Sequence, residues 1–203
     1  MTLYTYVVAR DYGFAPNPFY GFCTLATCKP IIRRMAQVGD WVVGTGSKSR
    51  GRDAHIVFAM RVTETLTFDE YWHDPRFFPK RPRLSGSKKQ AFGDNIYHRD
   101  PKSGRWNQEN SHHSHADGSA NQKNIENDTQ TDRVLVSTDY VYWGGTGPKI
   151  LKRFRNCGGF DLCAGRGHKN HFPDALVSEF IEWIRSVGQH GYVGAPLDWV
   201  RSA

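Results

Sequence analysis

The chain has 203 residues, a formal net charge of +7 and 38% hydrophobic residues. This length suits one well-buried domain, or a domain with a large insertion. The sequence contains no long apolar run, so no transmembrane helix is predicted. The first residues contain no basic stretch followed by a small-residue cleavage site, so we expect a cytoplasmic protein.

The first part of the chain predicts strands and short helices separated by loops. A run rich in β-branched and aromatic residues predicts a strand at 3–10, and the prolines and glycines that follow it predict a structured loop. A short helix is expected between Pro30 and Gly39. Its apolar side chains near one face are Ile31, Ile32 and Met35.

Two strands and a capped helix are expected next. A strand that begins at Trp41 runs into a loop of glycine, serine and arginine, and a longer strand at 55–66 can pair back on it across that loop. Thr67 is the expected N-cap of a short helix that Pro75 stops.

The second part contains a long polar segment and the clearest helix of the chain. Apolar residues are sparse at 76–132, so this segment is expected to be a basic, then polar, insertion, either functional or disordered, within a single domain of residues 1–203. A strand at 133–145 ends in two glycines. A helix with a proline near its start is predicted at 173–188. Its apolar stripe consists of Leu176, Phe180, Ile181 and Ile184.

These elements predict an α+β fold. About four or five strands with a few helices fit a small mixed β-barrel with peripheral helices better than a doubly wound sheet. The reason is that the chain lacks the regular alternation of strand and helix that a parallel sheet requires.

Positive charge is concentrated in two segments. Residues 75–105 contain nine lysines and arginines against two acids, and residues 146–170 contain six against one. Together these segments carry +12, so the rest of the chain carries −5. Such clusters indicate a phosphate-bearing partner, because neutralised phosphates release counterions, although a merely solvated basic surface is the alternative. The expected phosphate contacts are Arg81, Lys88, Lys89, Arg99 and Arg105.

The aromatic loop at 14–24 is a candidate base-binding site. It interleaves aromatic rings with an amide and a hydroxyl, which can stack a base and read its edge, although aromatic residues are more often core. The glycine- and serine-rich loop after Trp41 adds backbone N–H groups and hydroxyls, with a plain hairpin loop as the alternative. The predicted nucleotide- or base-contacting residues are Asn17, Phe19, Tyr20, Thr24, Thr45, Ser47, Asn95 and Tyr97.

The stretch NIYHRDP at 95–101 places an imidazole and a carboxylate two residues apart. On an extended chain His98 and Asp100 point the same way, so they form a candidate acid/base pair. The alternative is an ordinary surface turn.

Cysteine spacing gives little indication of metal binding. The pairs Cys23/Cys28 and Cys157/Cys163 are separated by four and five residues rather than by the two residues of a common zinc knuckle, so buried free thiols are expected. Cys163 is a weak exception, because Arg166 and His168 follow it closely and would lower the pKa of its thiol and favour a nucleophile.

A histidine cluster follows in the polar segment. Its members are His112, His113 and His115. Histidines are common metal ligands, but clustering on a flexible loop favours a polar lid over a preorganised metal centre. We therefore predict no metal and no cofactor.

The residues from Tyr4 to Ser47, together with GDNIYHRD at 93–100 and YVYWGG at 140–145, resemble the nucleotide-modification-associated domains, specifically the second family of that name. The resemblance covers nearly the whole chain. The family is known mainly from phage and bacterial gene neighbourhoods that encode modified-base systems, so it implies a role around nucleotide or DNA modification without naming a reaction.

A looser similarity concerns the PUA-like superfamily, including its EVE and ASCH members. It rests on the short helix followed by VGDWVVGTGS and HIVFAMRVTET. Members of that superfamily are small β-barrels that accommodate nucleic acids, and some hold a modified base in a pocket.

The leading hypothesis is therefore recognition of a modified nucleotide or base in nucleic acid. The alternative is an enzyme acting on a base or its glycosidic bond, with His98 and Asp100 as acid and base and Arg99 as the electrostatic group. A third hypothesis is a structural partner that docks a modification complex on DNA.

Overall fold

A computed structural model describes residues 1–156, 158–165 and 167–200 of the chain. Cys157 and Arg166, which belong to the cysteine predictions, lie outside the described residues.

The described chain contains eleven strands and six α-helices, with four short 3₁₀ turns. The strands are β1 (Leu3–Val8), β2 (Cys23–Leu25), β3 (Trp41–Gly46), β4 (Ile56–Arg61), β5 (Glu64–Leu66), β6 (Tyr97–Arg99), β7 (Trp106–Gln108), β8 (Val134–Ser137), β9 (Asp139–Tyr142), β10 (His168–Lys169) and β11 (Gly191–Tyr192). The helices are α1 (Pro30–Met35), α2 (Phe68–His73), α3 (Lys88–Ala91), α4 (Gln122–Asp128), α5 (Asp174–Ser186) and α6 (Leu197–Val200). No helix in these ranges is long and apolar enough to cross a membrane.

The contacts divide the chain into two units. The segments of the first are Met1–Tyr12, Ala36–Thr63 and Ser137–Ala203. The segments of the second are Gly13–Met35 and Glu64–Val136. The predicted insertion at 76–132 falls inside the second unit. Whether both units fold as the single domain expected from the sequence stays a prediction.

The first unit is built on a six-stranded mixed sheet in the order β10-β1-β3-β4-β9-β11. β1 and β3 are parallel, whereas β4 is antiparallel to both β3 and β9, so the predicted pairing of the strand after Trp41 with the next strand is confirmed. Helix α5 packs its apolar stripe on this sheet, as predicted. Its buried residues are Leu176, Val177, Phe180, Ile181 and Ile184, and the sheet contributes Leu3, Trp41, Val43, Ala59 and Val141 to the same core.

The second unit contains a three-stranded sheet in the order β2-β8-β5 and a two-stranded ribbon, β6-β7. The predicted N-cap of α2 is confirmed. The Thr67 side chain accepts a hydrogen bond from the Glu70 N–H, and the Glu70 carboxylate accepts one from the Thr67 N–H at 2.7 Å. This reciprocal pair satisfies two backbone donors at the start of the helix.

The two long predicted strands are each divided. The strand expected at 55–66 ends at Arg61, because Val62 turns to exchange backbone hydrogen bonds with Gly39 and Asp40, and β5 then joins another sheet. The strand expected at 133–145 bends at Thr138, where the Ser137 hydroxyl bonds both the N–H and the C=O of Asp139. A side-chain hydrogen bond of this kind competes with the strand ladder.

The predicted apolar face of α1 is wrong. Ile31 is 44% exposed and Met35 is 45% exposed, whereas Ile32 and Arg33 are buried. The cause is the guanidinium of Arg33, which replaces apolar packing by hydrogen bonds to backbone carbonyls described below.

The α+β class is confirmed, but no closed barrel is seen among the described residues. β10 and β11 form the two edges of an open six-stranded sheet, and the remaining strands pair separately. The segment at 76–132 is also more regular than its composition indicates, since it contains α3, β6, β7 and α4.

Candidate functional site

The second unit carries the basic segment at 75–105. Of its nine lysines and arginines, Lys80 is fully buried and Arg76 forms ion pairs with two carboxylates. The exposed members are Arg76, Arg83, Lys88, Lys89, Arg99, Lys102 and Arg105. Of its two acids, Asp94 is buried and Asp100 is partly exposed. The exposed charge of this segment is therefore mostly positive.

One face of the β6-β7 ribbon carries a stack of side chains around Trp72. The Arg81 guanidinium carbon lies 3.8 Å from the centre of the Trp72 ring, and the His98 ring lies 4.2 Å away in a stacked orientation. The indole of Trp72 is thus in contact with both a guanidinium and an imidazole. His98 Nε2 lies 2.8 Å from a carboxylate oxygen of Glu109, so its partner is Glu109 rather than the predicted Asp100.

Asp100 instead orders the turn that follows β6. One of its carboxylate oxygens accepts hydrogen bonds from the N–H and the hydroxyl of Ser103, at 2.7 and 2.8 Å. These bonds hold the pKa of Asp100 below its usual value. The catalytic roles of His98 and Asp100 stay predictions.

Arg99 belongs to the other face of the ribbon, because successive residues of a strand point to opposite faces. Its guanidinium carbon lies 3.9 Å from the centre of the Trp106 ring, and its Nη1 donates to the Gly104 carbonyl at 3.0 Å. Arg81 and Arg99, both predicted to contact phosphates, are therefore presented by different faces of the second unit.

The aromatic loop is mostly buried. Phe19 is 2% exposed, and the ammonium of Lys89 lies 5.7 Å from the centre of its ring. Tyr20 is 38% exposed and has a backbone φ of 62°, which side-chain-bearing residues rarely adopt. Of the two aromatic residues predicted to stack on a base, Tyr20 is thus the accessible one.

Asn17 and Lys80 lock this loop from inside. The Lys80 ammonium donates to the Asn17 carbonyl, to the Asn17 side-chain oxygen and to the Phe22 carbonyl, at 3.0, 2.6 and 3.0 Å. The Asn17 amide group donates to the Phe92 carbonyl at 2.9 Å. Burial lowers the pKa of Lys80 to about 8. Base reading by Asn17 would require these bonds to break.

The side chains of Thr24 and Asn95 are also held by hydrogen bonds inside the second unit. The Thr24 hydroxyl donates to Asp94 at 2.7 Å, and the Asn95 amide group donates to the Tyr71 carbonyl at 2.9 Å. Tyr71 also donates its hydroxyl to Asp94 at 2.8 Å, and burial raises the pKa of Asp94 to about 6. These polar groups order the interior of the second unit.

Thr45 and Ser47 belong to the first unit, unlike the other predicted base contacts. Thr45 is 1% exposed, and its hydroxyl lies 3.4 Å from the Tyr6 carbonyl that accepts from it. The Ser47 and Ser49 hydroxyls are 2.8 Å apart. In the glycine-rich loop that follows, Arg50 pairs with Asp198 at 3.0 Å.

A cluster that the sequence prediction did not assemble lies elsewhere in the second unit. Cys28 Sγ lies 3.6 Å from His113 Nε2, and His113 Nδ1 lies 2.8 Å from an Asp128 carboxylate oxygen. Cys28 is partly exposed, the His113 side chain is 15% exposed and Asp128 is fully buried. Burial alone would lower the pKa of His113, but the hydrogen bonds with Asp128 and Cys28 outweigh it and raise this pKa to about 9.

Among the described residues these three also form a group of potential metal ligands, with one ligand atom of each within 4.8 Å of the others. The Asp128 carboxylate, however, is already saturated. One oxygen accepts from the Cys28 N–H and the Asn127 amide, at 2.8 and 3.0 Å, and the other from the Tyr97 hydroxyl at 2.9 Å and from His113. A carboxylate offers about four acceptor positions, so none is left for a metal.

Arg33 holds the backbone on both sides of this cluster. It is fully buried, and its Nε donates to the Cys28 carbonyl at 2.9 Å. Its Nη1 donates to the carbonyls of Arg133 and Thr131, at 2.6 and 3.3 Å, and its Nη2 to that of Asp128. One side chain therefore connects two chain segments about a hundred residues apart.

Local spacing could not reveal this cluster, because its members are separated by 85 and 15 residues. The prediction recognised His113 as part of a histidine cluster and treated Cys28 as a free thiol. The one hint in the sequence is the short segment Cys28-Lys29-Pro30, where a cysteine directly precedes a helix start.

The other described cysteines differ from Cys28. Cys23 is completely buried, as expected for a core thiol, and burial raises its pKa strongly. Burial also raises the pKa of Cys163 to about 11, which opposes the nucleophilic role suggested for it.

Comparison with protein-family models places the whole chain in one family. The matching model is described as nucleotide modification associated domain 2, and it matches residues 1–203. Comparison with curated proteins and with solved structures gives no match.

Proposed function

The chain belongs to the nucleotide modification associated domain 2 family, and on this premise we propose that it binds a nucleotide or base in nucleic acid within a modification system. The observation that carries the proposal is the basic segment at 75–105, whose exposed charge is mostly positive. Exposed cations of this density favour a polyanion, because each phosphate contact releases bound counterions.

The exposed cations supply the phosphate contacts in this proposal. Arg99 and Arg105 flank the turn after β6, and Lys88 and Lys89 lie on α3 beside the aromatic loop. Arg81 contributes positive charge near Trp72, although its guanidinium is partly covered. Because these groups occupy more than one face, the proposal is for a polynucleotide that spans several contacts rather than for one phosphate in a pocket.

Base recognition rests on Tyr20 in this proposal. Its ring is accessible, whereas Phe19 supports it from inside at a centroid distance of 6.3 Å. Aromatic side chains that stack on bases contribute about 1–3 kcal/mol per base. Asn17, Thr24 and Asn95 keep the loop rigid, which lowers the entropic cost of binding.

An enzyme with His98 as acid or base is the second candidate. The observation that favours it is the contact between His98 and Glu109, since a carboxylate partner orients an imidazole for proton transfer. Incubation with nucleotides and modified DNA, followed by mass spectrometry, distinguishes this enzyme from a binding protein. A product that forms with the original protein and not with His98→Ala identifies an enzyme.

The test of binding is a salt titration of fluorescently labelled single-stranded and duplex DNA, followed by fluorescence anisotropy. We expect the logarithm of the binding constant to fall linearly with the logarithm of salt concentration. Arg105→Glu should weaken binding and lower the magnitude of the slope by about one, since it removes a phosphate contact.

The matched control is Lys123→Glu, an exposed lysine of α4 in the same unit but outside the basic segment. It changes the net charge equally and should have the smaller effect. A binding constant that does not respond to salt, or equal effects of the two variants, would contradict the proposed interface.

A further inference from the structure

The hydrogen bonds of His113 fix the direction in which a proton can move. An ionised carboxylate only accepts hydrogen bonds, so His113 Nδ1, at 2.8 Å from Asp128, carries a hydrogen. The opposite nitrogen, Nε2, therefore faces Cys28 Sγ across 3.6 Å and is placed to accept the thiol proton. Nucleophile, base and orienting carboxylate follow one another in the order that catalytic triads require.

Positive charge surrounds the sulfur. The pKa of His113 is raised to about 9, so the proton that it accepts from the thiol is retained on its ring at neutral pH. Lys29 is the next residue of the chain, and the buried Arg33 bonds the Cys28 carbonyl. The opposing charge is the Asp128 carboxylate, which accepts a hydrogen bond from the neutral Tyr97 hydroxyl. These cations are counter-charges for a thiolate, which is the nucleophilic form of a cysteine.

The three groups differ in access in a way that suits catalysis. Cys28 is a partly exposed residue, whereas Asp128 is shielded from water. The Phe14 ring lies 4.7 Å from the His113 ring and limits its rotation. A carboxylate held in a dry environment orients an imidazole more strongly than one in water.

The backbone at the nucleophile is also unusual. Cys28 and Lys29 have φ values of 57° and 43°, a region that non-glycine residues rarely occupy. Such a conformation persists only where surrounding contacts hold it, and it is found most often at functional sites. Here the Cys28 N–H donates to Asp128, and the Cys28 carbonyl accepts from Arg33.

We propose that Cys28, His113 and Asp128 form a catalytic triad for covalent catalysis at an acyl- or amidine-type carbon. The saturated carboxylate of Asp128 favours this assignment over a metal site. The inference goes beyond the recognition proposed above, because binding requires no nucleophile, and it uses residues other than His98 and Asp100.

The reaction balances with water as the second reactant. His113 takes the thiol proton, the sulfur bonds to the carbon, and the electron pair of the C=O or C=N bond moves to oxygen or nitrogen. That pair returns and expels an amine or alcohol, which takes the proton from His113. Water then adds with His113 as base, and the thiolate leaves. The net change replaces a C–N or C–O bond to the leaving group by a bond to the oxygen of water.

The first test uses the unmodified protein and iodoacetamide, with the alkylation rate of each cysteine followed by peptide mass spectrometry from pH 5.5 to 9. An ordinary thiol with a pKa near 8.5 is only about 1% ionised at pH 6.5. We expect Cys28 to keep more than about a tenth of its pH 9 rate at pH 6.5, because the His113 cation stabilises the thiolate. Cys23 and Cys163 are internal controls and should react slowly.

Variants then separate catalysis from simple exposure. His113→Asn should lower the rate at Cys28 at pH 6.5 by about tenfold or more, and Asp128→Asn should move the pH profile of that rate toward an ordinary thiol. His112→Asn is the matched control and should leave the rate unchanged. Where a variant does not fold, the pH profile of the unmodified protein decides the question.

A second measurement tests group transfer with p-nitrophenyl acetate as an acyl probe. We expect an acetyl adduct on Cys28 that water clears, no adduct in Cys28→Ser, and slow clearance in His113→Asn. An ordinary thiol pH profile for Cys28, or no acetyl adduct, would overturn the proposal. So would one zinc ion per chain in the purified protein that is lost in Cys28→Ser.

The two proposals fail separately. Cys28→Ser should retain DNA binding with an unchanged salt slope, since the triad contributes no phosphate contact. Loss of salt-dependent binding with a reactive Cys28 would contradict the recognition proposal alone.

Discussion

Single buried cations order parts of this protein that have few apolar residues. Arg33 and Lys80 are both fully buried, and most of their donors bond backbone carbonyls rather than carboxylates. A buried charge is costly unless its donors are satisfied, and here each is bonded several times. These cations therefore replace the apolar contacts that a polar sequence cannot provide.

His113 should make stability depend on pH. Its pKa is raised from 6.5 to about 9 in the folded protein. A raised folded-state pKa stabilises the protein fully below pH 6.5, and this contribution is lost as the pH rises through about 9. The difference corresponds to about 3 kcal/mol of unfolding free energy. Urea denaturation at pH 6.5, 7.5 and 9 measures it.

The comparison with His113→Gln isolates this contribution, because the variant retains the other titrating groups. The free-energy difference between the two proteins should shrink as pH rises. His112→Gln, which alters the neighbouring exposed histidine, should retain the pH dependence that His113 confers. A difference that stays constant from pH 6.5 to 9 would exclude the linkage.

At the scale of elements, the stability of the short helix α2 depends on the hydrogen bonds at its N-terminus and on the burial of its apolar side chains. Helix α2 has six residues, too few to be stable by propensity alone. Its Thr67–Glu70 capping box and the burial of Phe68 and Tyr71 hold it in place. This matters for the site, because Trp72 of the same helix contacts both Arg81 and His98.

Removal of the α2 cap should therefore be measurable. Thr67→Ala leaves the Glu70 N–H without its side-chain acceptor and should cost about 1 kcal/mol of unfolding free energy. Thr67→Ser keeps the hydroxyl and should remain within about 0.5 kcal/mol of the original protein. Chemical denaturation compares them, and equal losses in both variants would show that the hydroxyl is not responsible.

At the scale of the whole molecule, the two units are interleaved along the chain. The chain passes from one to the other four times, after Tyr12, Met35, Thr63 and Val136. The second unit thus consists of two segments whose ends continue into the first. Neither unit is a continuous piece of chain that could be removed intact.

This connectivity predicts one cooperative unfolding transition, in keeping with the single domain expected from the sequence. Opening either unit releases the chain ends that hold the other, so the two should unfold together. Circular dichroism and tryptophan fluorescence should report the same midpoint in urea. Two separated midpoints would show two independently stable domains.

The sequence by itself determined the elements whose signals are local. A run of β-branched and aromatic residues predicted β1, and a stripe of apolar side chains predicted α5, because both signals lie in residues that are close together in the sequence. The Thr67 cap was readable for the same reason. The family resemblance and the excess of positive charge also needed no structure.

The tertiary structure decided what depends on distant residues. It divided two long strands between sheets, buried Arg33 where an apolar face was expected, and covered most of the predicted base-reading residues. Above all it brought Cys28 to His113 and Asp128, which lie 85 and 100 residues further along the chain. No local sequence pattern predicts that these three residues are close together, because their proximity depends on the hydrogen bonds and packing of the whole folded chain.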